Sequence, residues 1–343
     1  MKKKSESGSR GIGTRVLTCM TSCLETLVEL AKLVKYHLVL WTDVLLHRLR
    51  PQRPIALRRV EGAVLPGSRK LLCVFAHFDR DGLVDEYVIH YLSKLEALGC
   101  ETIFVSTANG LGVAQVENVR PYCRMIIIRE NQGHDFGSWK AGLAEAGDLS
   151  RYDRLILAND SVYGPFFDLG AVVNGAANPA ADFWGITDTV RFGHHLQSYF
   201  MVFGRSILQN PAFEAFWQRL PYYRFKHAVV LGCEIGLSRL LAREGFNLGA
   251  LCPFDKVWTR HLAARRPSGG WQQPNARLDT TYWCWETLLK DYNCPFLKVR
   301  LLRDYSIKFA GGDRWRDVVS QCSSYDAAMI RRHLDRVVAR GQG

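Results

Sequence analysis

Ile156 to Pro165 read ILANDSVYGP. An apolar run stops abruptly in three small polar residues, Asn159, Asp160 and Ser161, and the chain then turns through Gly164 and Pro165. In an open α/β sheet, ligands gather in the crevice beyond the carboxyl ends of the strands, so polar groups delivered there are placed to bind. An Asx turn that merely closes the strand is the alternative, because Asn, Asp and Ser also hydrogen-bond their own backbone. Working outward, the apolar runs LLCVFAHF (71–78), ETIFVSTA (101–108) and MIIIREN (125–131) read as further strands. Between them DEYVIHYLSKLEALG (85–99) has helical spacing closed by Gly99, and another helix is predicted from Gly137 to Ala146. Downstream, DFWGITDT (182–189) and HLQSYFMVFG (195–204) read as strands, with helices at AFEAFWQRL (212–220) and CEIGLSRLLAREG (233–245). Strands alternating with helices imply an α/β fold, a Rossmann-type, mostly parallel sheet flanked by helices, with its site at the strand ends.

The 343 residues are 48% hydrophobic and 11% aromatic, which excludes disorder over most of the chain and suits one large α/β domain with appendages, or two smaller domains. Ten cysteines occur without a CxxC pair, and the Cys19 to Cys23 spacing matches no common zinc pattern, so packed free thiols in a reducing cytoplasm are expected. The net charge of +12 is unevenly spread. Residues 1–59 hold twelve Lys and Arg against four acids, and the other 284 residues carry only +4. A body that reads nucleic acid would carry the charge itself, so no nucleic-acid partner is expected; a basic arm meeting an anionic surface is.

Residues 1–14 read as a disordered basic tail. Over 15–50, Leu17, Met20, Leu24, Leu27, Ala31, Val34, Leu38, Trp41 and Leu45 alternate spacings of three and four, the stripe of a long amphipathic helix ended by Pro51. Glu25, Glu29, Lys32, Lys35 and Asp43 interrupt it, so it is no membrane span. A coiled-coil seam, a helix packed on the body and a helix lying in a membrane interface remain open. Residues 51–69 read as a linker, 70–310 as the catalytic domain and 311–343 as a C-terminal helical extension.

Several side chains could carry chemistry. NQGHDFGSWKAGL (131–143) enters its helix through glycines, and a helix N-terminus favours an anion. Asn131, Gly133, Asp135 and Lys140 are therefore candidates for holding a donor, although Asp135 also suits a helix cap and Lys140 a surface. The motif is neither a GxGxxG fingerprint nor a phosphate-binding P-loop. HFDRDGLVDE (77–86) fails calcium-loop spacing and reads as a turn that meets the nucleotide through His77 and Asp79. His194 and His195 are adjacent and lack spaced partners for zinc. Glu234 is expected at a helix start, where it either takes a proton from a hydroxyl or only offsets the helix dipole.

The strings YDRLILANDSVYGPFFDL, DFWGITDT, HLQSYFMVF, CEIGLSRLL, YWCWETLL and PFLKVRLLRD occur in one order and resemble the rhamnan synthesis protein F family of cell-surface polysaccharide glycosyltransferases, over residues 70–305. The resemblance implies a GT-A-like fold and transfer of a deoxyhexose, rhamnose, from a nucleoside diphosphate sugar to a lipid-linked saccharide. By the same resemblance, Asn159, Asp160 and Ser161 occupy the donor diphosphate site, and Trp184, Asp188, Gln197 and Glu234 line the acceptor side. Glu234 would be the catalytic base, with Asp188 the second carboxylate, and Asp160 would hold Mn²⁺ or Mg²⁺. The setting implied is the cytoplasmic face of the membrane, with the N-terminal helix meeting the membrane surface or a second copy. One departure stands out: the first acid of the usual Asp-x-Asp is absent, with Asn159 before a single Asp160. A non-catalytic sugar-binding or assembly subunit is the rival reading.

Overall fold

The computed structural model describes residues 27–28, 30–46, 49, 56–67, 69–108, 110–175, 179–264, 279–304 and 314–339. Strands β1 (Ala56–Glu61), β2 (Leu71–His77), β3 (Cys100–Ser106), β4 (Met125–Arg129) and β5 (Arg154–Asn159) make one half of a sheet. A short β6 (Val162–Tyr163) follows, then β7 (Phe183–Thr189), β8 (His195–Leu196), β9 (Phe200–Gly204), β10 (Leu248–Cys252) and β11 (Leu297–Lys298). The main sheet runs β1-β4-β3-β2-β5-β9-β7-β10, with β8 on β7, and β6 pairs β11 in a separate two-stranded ladder. Parallel pairing joins β4, β3, β2 and β5, and again β7 and β10, whereas β1 and β9 run antiparallel to their neighbours. This is the mostly parallel, helix-flanked α/β architecture expected of a GT-A-like chain.

Two-residue periodicity explains how the sheet is covered. In β2, Cys73 and Phe75 enter one core while Leu72, Val74 and Ala76 enter the core on the other face. Every residue of β3 is buried, as parallel strands sandwiched between helices require. The chain steps from β2 outward through β3 to β4 and then returns to the far side of β2 as β5. The order therefore reverses between β2 and β5, and a crevice opens beyond their carboxyl ends, at His77 and Asn159.

Several expectations are corrected. The linker assigned to 51–69 contains β1, which pairs antiparallel with β4; its arginines are tolerated because β1 is an edge. The helix predicted from Gly137 begins at His134. The helix predicted from Cys233 is continuous with a turn that begins at Lys226, so Glu234 is no helix-start residue. The C-terminal helix Ala327–Ala339 packs on helix Glu86–Ala97, as part of the body rather than an appendage.

Residues 30–46 are helical, and no described helix is long and apolar enough to cross a membrane. The face that touches the body is not the predicted stripe. Tyr36 stacks on His227 with ring centroids 4.1 Å apart, Leu40 and Val44 join the second core, and buried Asp43 accepts the backbone N–H groups of Arg224 (2.6 Å) and Phe225 (2.9 Å). Leu27, Val34, Leu38, Trp41 and Leu45 are instead 53–68% exposed. Leu17, Met20 and Leu24, like the 1–14 tail, lie outside the described residues.

Candidate active site

The polar end of β5 is both a turn and part of a wider network. Asn159 Oδ1 accepts from Ser161 N (3.1 Å) and Ser161 Oγ (2.6 Å), the Asx geometry, while Asn159 Nδ2 donates to Asp135 Oδ2 at 3.0 Å. Asn159 thereby ties the β5 end to the first turn of helix His134–Ala146. Asp160 Oδ2 accepts Phe78 N at 2.8 Å, and Tyr87 OH donates to the Asp160 carbonyl at 3.0 Å. Burial raises the pKa of Asp160 well above the usual carboxylate range, with the nearby acids Asp135 and Asp79 adding to it. Asp135 is raised by burial too. His77 sits beneath them, 2.9 Å from Ser106 Oγ and 3.9 Å from Asp160 Oδ2. Burial pushes its pKa down to about 4, so it stands neutral.

Across the crevice, Glu234 lies in the π-helical turn Val230–Ile235 within the helix that starts at Lys226. Gly232 lets this turn press on Tyr223, since a Cβ there would stand 2.7 Å from the Tyr223 hydroxyl. A π turn redirects side chains off the normal helical face and often marks a functional position. The macrodipole explanation for Glu234 falls with the corrected helix start. Its pKa is raised by burial, against the lowering effects of a Ser198 hydrogen bond and of Lys298 and Lys226.

Lys298 is the residue missed from sequence. It lies on β11, paired with Val162, and Val299 N donates to Ser161 O at 3.0 Å, so the ladder fixes it beside the Asn-Asp-Ser segment. Its ammonium rests 4.0 Å from the centroid of the Tyr199 ring. Burial lowers its pKa to about 8, with Asp279, Glu234 and Asp135 opposing the shift and Lys226 reinforcing it. The string PFLKVRLLRD held it in plain view, but nothing local marks one lysine among its basic neighbours. Asp279 caps helix Thr280–Trp283 through Oδ1 and accepts Gln197 Nε2 at 2.9 Å; Gln197 Oε1 accepts Thr187 Oγ1 at 2.6 Å. Gln197 therefore reaches this wall of the crevice.

Other candidates are placed elsewhere or already engaged. Asp188 accepts Phe254 N at 2.7 Å through Oδ1 and pairs with His194 at 2.7 Å through Oδ2. Trp184, level with Val202 and hence with Ile156, stands three residues short of the β5 end, about 10 Å down the strand direction. Its indole N–H donates to Val172 O at 2.6 Å, so it anchors the core rather than an acceptor. Lys140 donates to Leu220 O (2.6 Å) and Gln218 O (3.0 Å), satisfying carbonyls at the end of helix Pro211–Arg219 instead of a donor. Gly133, at φ +78°, would put a Cβ 3.0 Å from Tyr222 Cδ1, so the loop packs closely against that ring. Asn131 is exposed on the same loop. Asp79 belongs to a clamp: Asp79, Asp81 and Asp85 all bond Arg336 of the C-terminal helix, at 2.7, 2.8 and 2.5 Å. A cavity of 590 Å³ between helix Glu86–Ala97, residues 165–169 and Tyr325 contains none of the crevice groups.

The uncharacterized protein y4gN of Sinorhizobium fredii is 31% identical over 159 residues, 42% of each chain, so the match spans less than half of that relative. The virulence protein VirA of Vibrio anguillarum is 27% identical over 257 residues, 69% of this chain and 81% of its own. Among solved structures, the galactosyltransferase LgtC with donor and acceptor sugar analogs aligns at a TM-score of 0.36 and 12% identity, over 74% of this chain and 97% of that one. The mannosyltransferase PcManGT of Pyrobaculum calidifontis, with GDP-Man and Mn²⁺, aligns at 0.29 and 11%, over 53% and 56%. The family described as rhamnan synthesis protein F matches residues 102–340, a span that carries Asp135, the Asn-Asp-Ser end of β5, Glu234 and Lys298, and the chain belongs to that family.

Proposed function

We propose that the protein is a glycosyltransferase that moves a deoxyhexose, rhamnose, from a nucleoside diphosphate sugar to a growing lipid-linked cell-surface polysaccharide. The observation that carries this reading is the gathering of Asp135, Asp160 and Glu234, all with burial-raised pKa values, around the strand-order reversal. Burying like charges together is costly, and such groups mark sites that bind or transform a ligand. Glu234 is the base. Its raised pKa brings it toward neutral pH, where a carboxylate takes a hydroxyl proton most effectively. A single base opposite the leaving group implies inversion at the anomeric carbon.

A divalent cation, Mn²⁺ or Mg²⁺, fits this donor set only in company with the donor. Among the described residues no three His, Cys, Asp or Glu side chains converge to hold an ion. Magnesium-type ions bound with phosphates need only one or two carboxylates, and Asp160, whose carboxylate meets backbone N–H groups, is the residue that would hold one. Such an ion would neutralise charge on the diphosphate. Asp160→Asn, assayed against a panel of nucleoside diphosphate deoxyhexoses, is expected to keep the fold and lower transfer about 100-fold. Unchanged turnover would remove Asp160 from the mechanism. Donor hydrolysis and transfer both absent from the wild type across that panel would favour the non-catalytic reading.

The exposed apolar face of the N-terminal helix, with the basic surplus of residues 1–59, fits an anionic membrane surface at the cytoplasmic face, where a lipid-linked acceptor would lie. Leu38→Glu with Trp41→Glu leaves the body-facing Tyr36 and Asp43 untouched. The pair is expected to abolish binding to vesicles of anionic phospholipid while transfer to soluble acceptors continues. Vesicle binding that survives both changes would place the membrane contact elsewhere.

A further inference from the structure

We infer that Lys298 is the diphosphate-binding cation of the crevice, supplied by the protein beside the Asn159-Asp160-Ser161 end of β5, which holds a single acid. The inference rests on the transferase reading for its chemistry but on its own geometry for its location. The β6–β11 ladder begins at Val162, two residues after Asp160, and its register puts Lys298 opposite Val162 with Val299 N bonded to Ser161 O. A diphosphate in the switch-point crevice lies next to that ladder.

Lys298 is not consumed by structure. Among the described residues its ammonium makes no ion pair within 4.0 Å, and the contact that holds it is the face of Tyr199. Tyr199 is itself fixed, with its hydroxyl 2.8 Å from Thr187 Oγ1 and its carbonyl accepting Asn159 N at 3.3 Å. The ring platform thus aims the ammonium while leaving its three N–H donors for a ligand. The acids around it, Asp279, Glu234 and Asp135, favour its charge without neutralising it by contact. Lys226, the second cation acting on these groups, is exposed at the start of its helix and has no comparable platform among the described residues.

In the transfer step the acceptor oxygen bonds to the anomeric carbon as the bond from that carbon to the diphosphate oxygen breaks. The bonding pair leaves with the diphosphate, and the hydroxyl proton passes to Glu234. Lys298 donates hydrogen bonds to the diphosphate as that charge develops, which is the electrostatic stabilisation that a fixed cation supplies best.

Inorganic pyrophosphate with Mg²⁺ is the probe, because it carries the shared chemistry of every nucleoside diphosphate. Calorimetric titration of Lys298→Met is expected to show at least a tenfold weaker affinity than wild type, with Lys298→Arg closer to wild type and Lys226→Met little changed. If Lys298→Met does not fold, the wild type still decides the matter. Acylation of Lys298 followed by mass spectrometry is expected to be blocked by saturating pyrophosphate, while labelling of Lys226 continues. Wild-type affinity in Lys298→Met, or undiminished acylation of Lys298 at saturation, overturns the assignment. Pyrophosphate binding does not require transfer. A Lys298-dependent site in a protein that transfers no sugar would sink the transferase reading and leave this one standing, whereas an active transferase whose Lys298→Met variant binds pyrophosphate normally would do the reverse.

Discussion

The molecule holds two groups of three carboxylates built on opposite principles. Asp79, Asp81 and Asp85 close on one guanidinium, that of Arg336, with contacts of 2.5–2.8 Å, so the loop after β2 is locked to the C-terminal helix. His333 of the same helix adds a 2.7 Å contact to the Tyr163 hydroxyl, and its ring packs on Tyr87, which in turn holds the Asp160 carbonyl. Among the described residues, Asp135, Asp160 and Glu234 share no such guanidinium in contact; they are held by backbone, amide and hydroxyl groups and keep raised pKa values. Neutralised acids stabilise, whereas under-compensated buried acids cost stability and are retained for chemistry. An acid cluster is therefore judged by its counter-charges rather than its count.

The sharpest way to test that contrast is Glu234→Gln. In the proposed role of base it cannot be replaced by an amide, so turnover is expected to fall about 100-fold or more while donor binding persists. Stability moves the other way. A carboxyl whose folded pKa is raised contributes stability fully present below the ordinary carboxylate range and lost as pH rises through the folded value. The amide escapes that loss, so Glu234→Gln is expected to melt above wild type at pH 7, an advantage that shrinks as pH falls through the ordinary carboxylate range. Wild-type turnover in this variant would break the comparison at its catalytic end.

Arg336→Met attacks the other cluster. With its shared cation gone, the clamp is expected to lose about 2–3 kcal/mol of stability, read by chemical denaturation, and the folded fraction is expected to retain far more turnover than Glu234→Gln. A variant as stable as wild type would show the clamp to be decorative. Smallest in effect is Lys140→Met, which frees the carbonyls of Gln218 and Leu220: about 1 kcal/mol of stability is expected to go, with turnover unchanged. A selective loss of donor affinity there would return Lys140 to the site.

Periodicity and punctuation determined much of this molecule before any contact was known. Alternating strand and helix patterns, the abrupt polar end of RLILAND and the order of the later strings set the sheet class and the strand end at which the crevice opens, because those features are local. Edge strand β1 and the short β10 were harder to see, since one is rich in arginine and the other, LGALC, is only five residues long. Roles that depend on distant partners belonged to the tertiary structure alone. Asp79 and Asp160 read alike in sequence, yet one meets an arginine 257 positions away and the other does not. Lys140 was marked and Lys298 was not, yet Lys140 satisfies carbonyls 78 and 80 positions away while Lys298 is carried by a two-residue ladder to the end of β5. Glu234 kept its place in the crevice while the reason changed, because a helix start is a local inference and a π turn pressed on Tyr223 is a packing outcome. Side-chain spacing encodes which face a residue takes; only the closed chain decides which opposite charge, ring or carbonyl waits on that face, and that partner sets the chemistry.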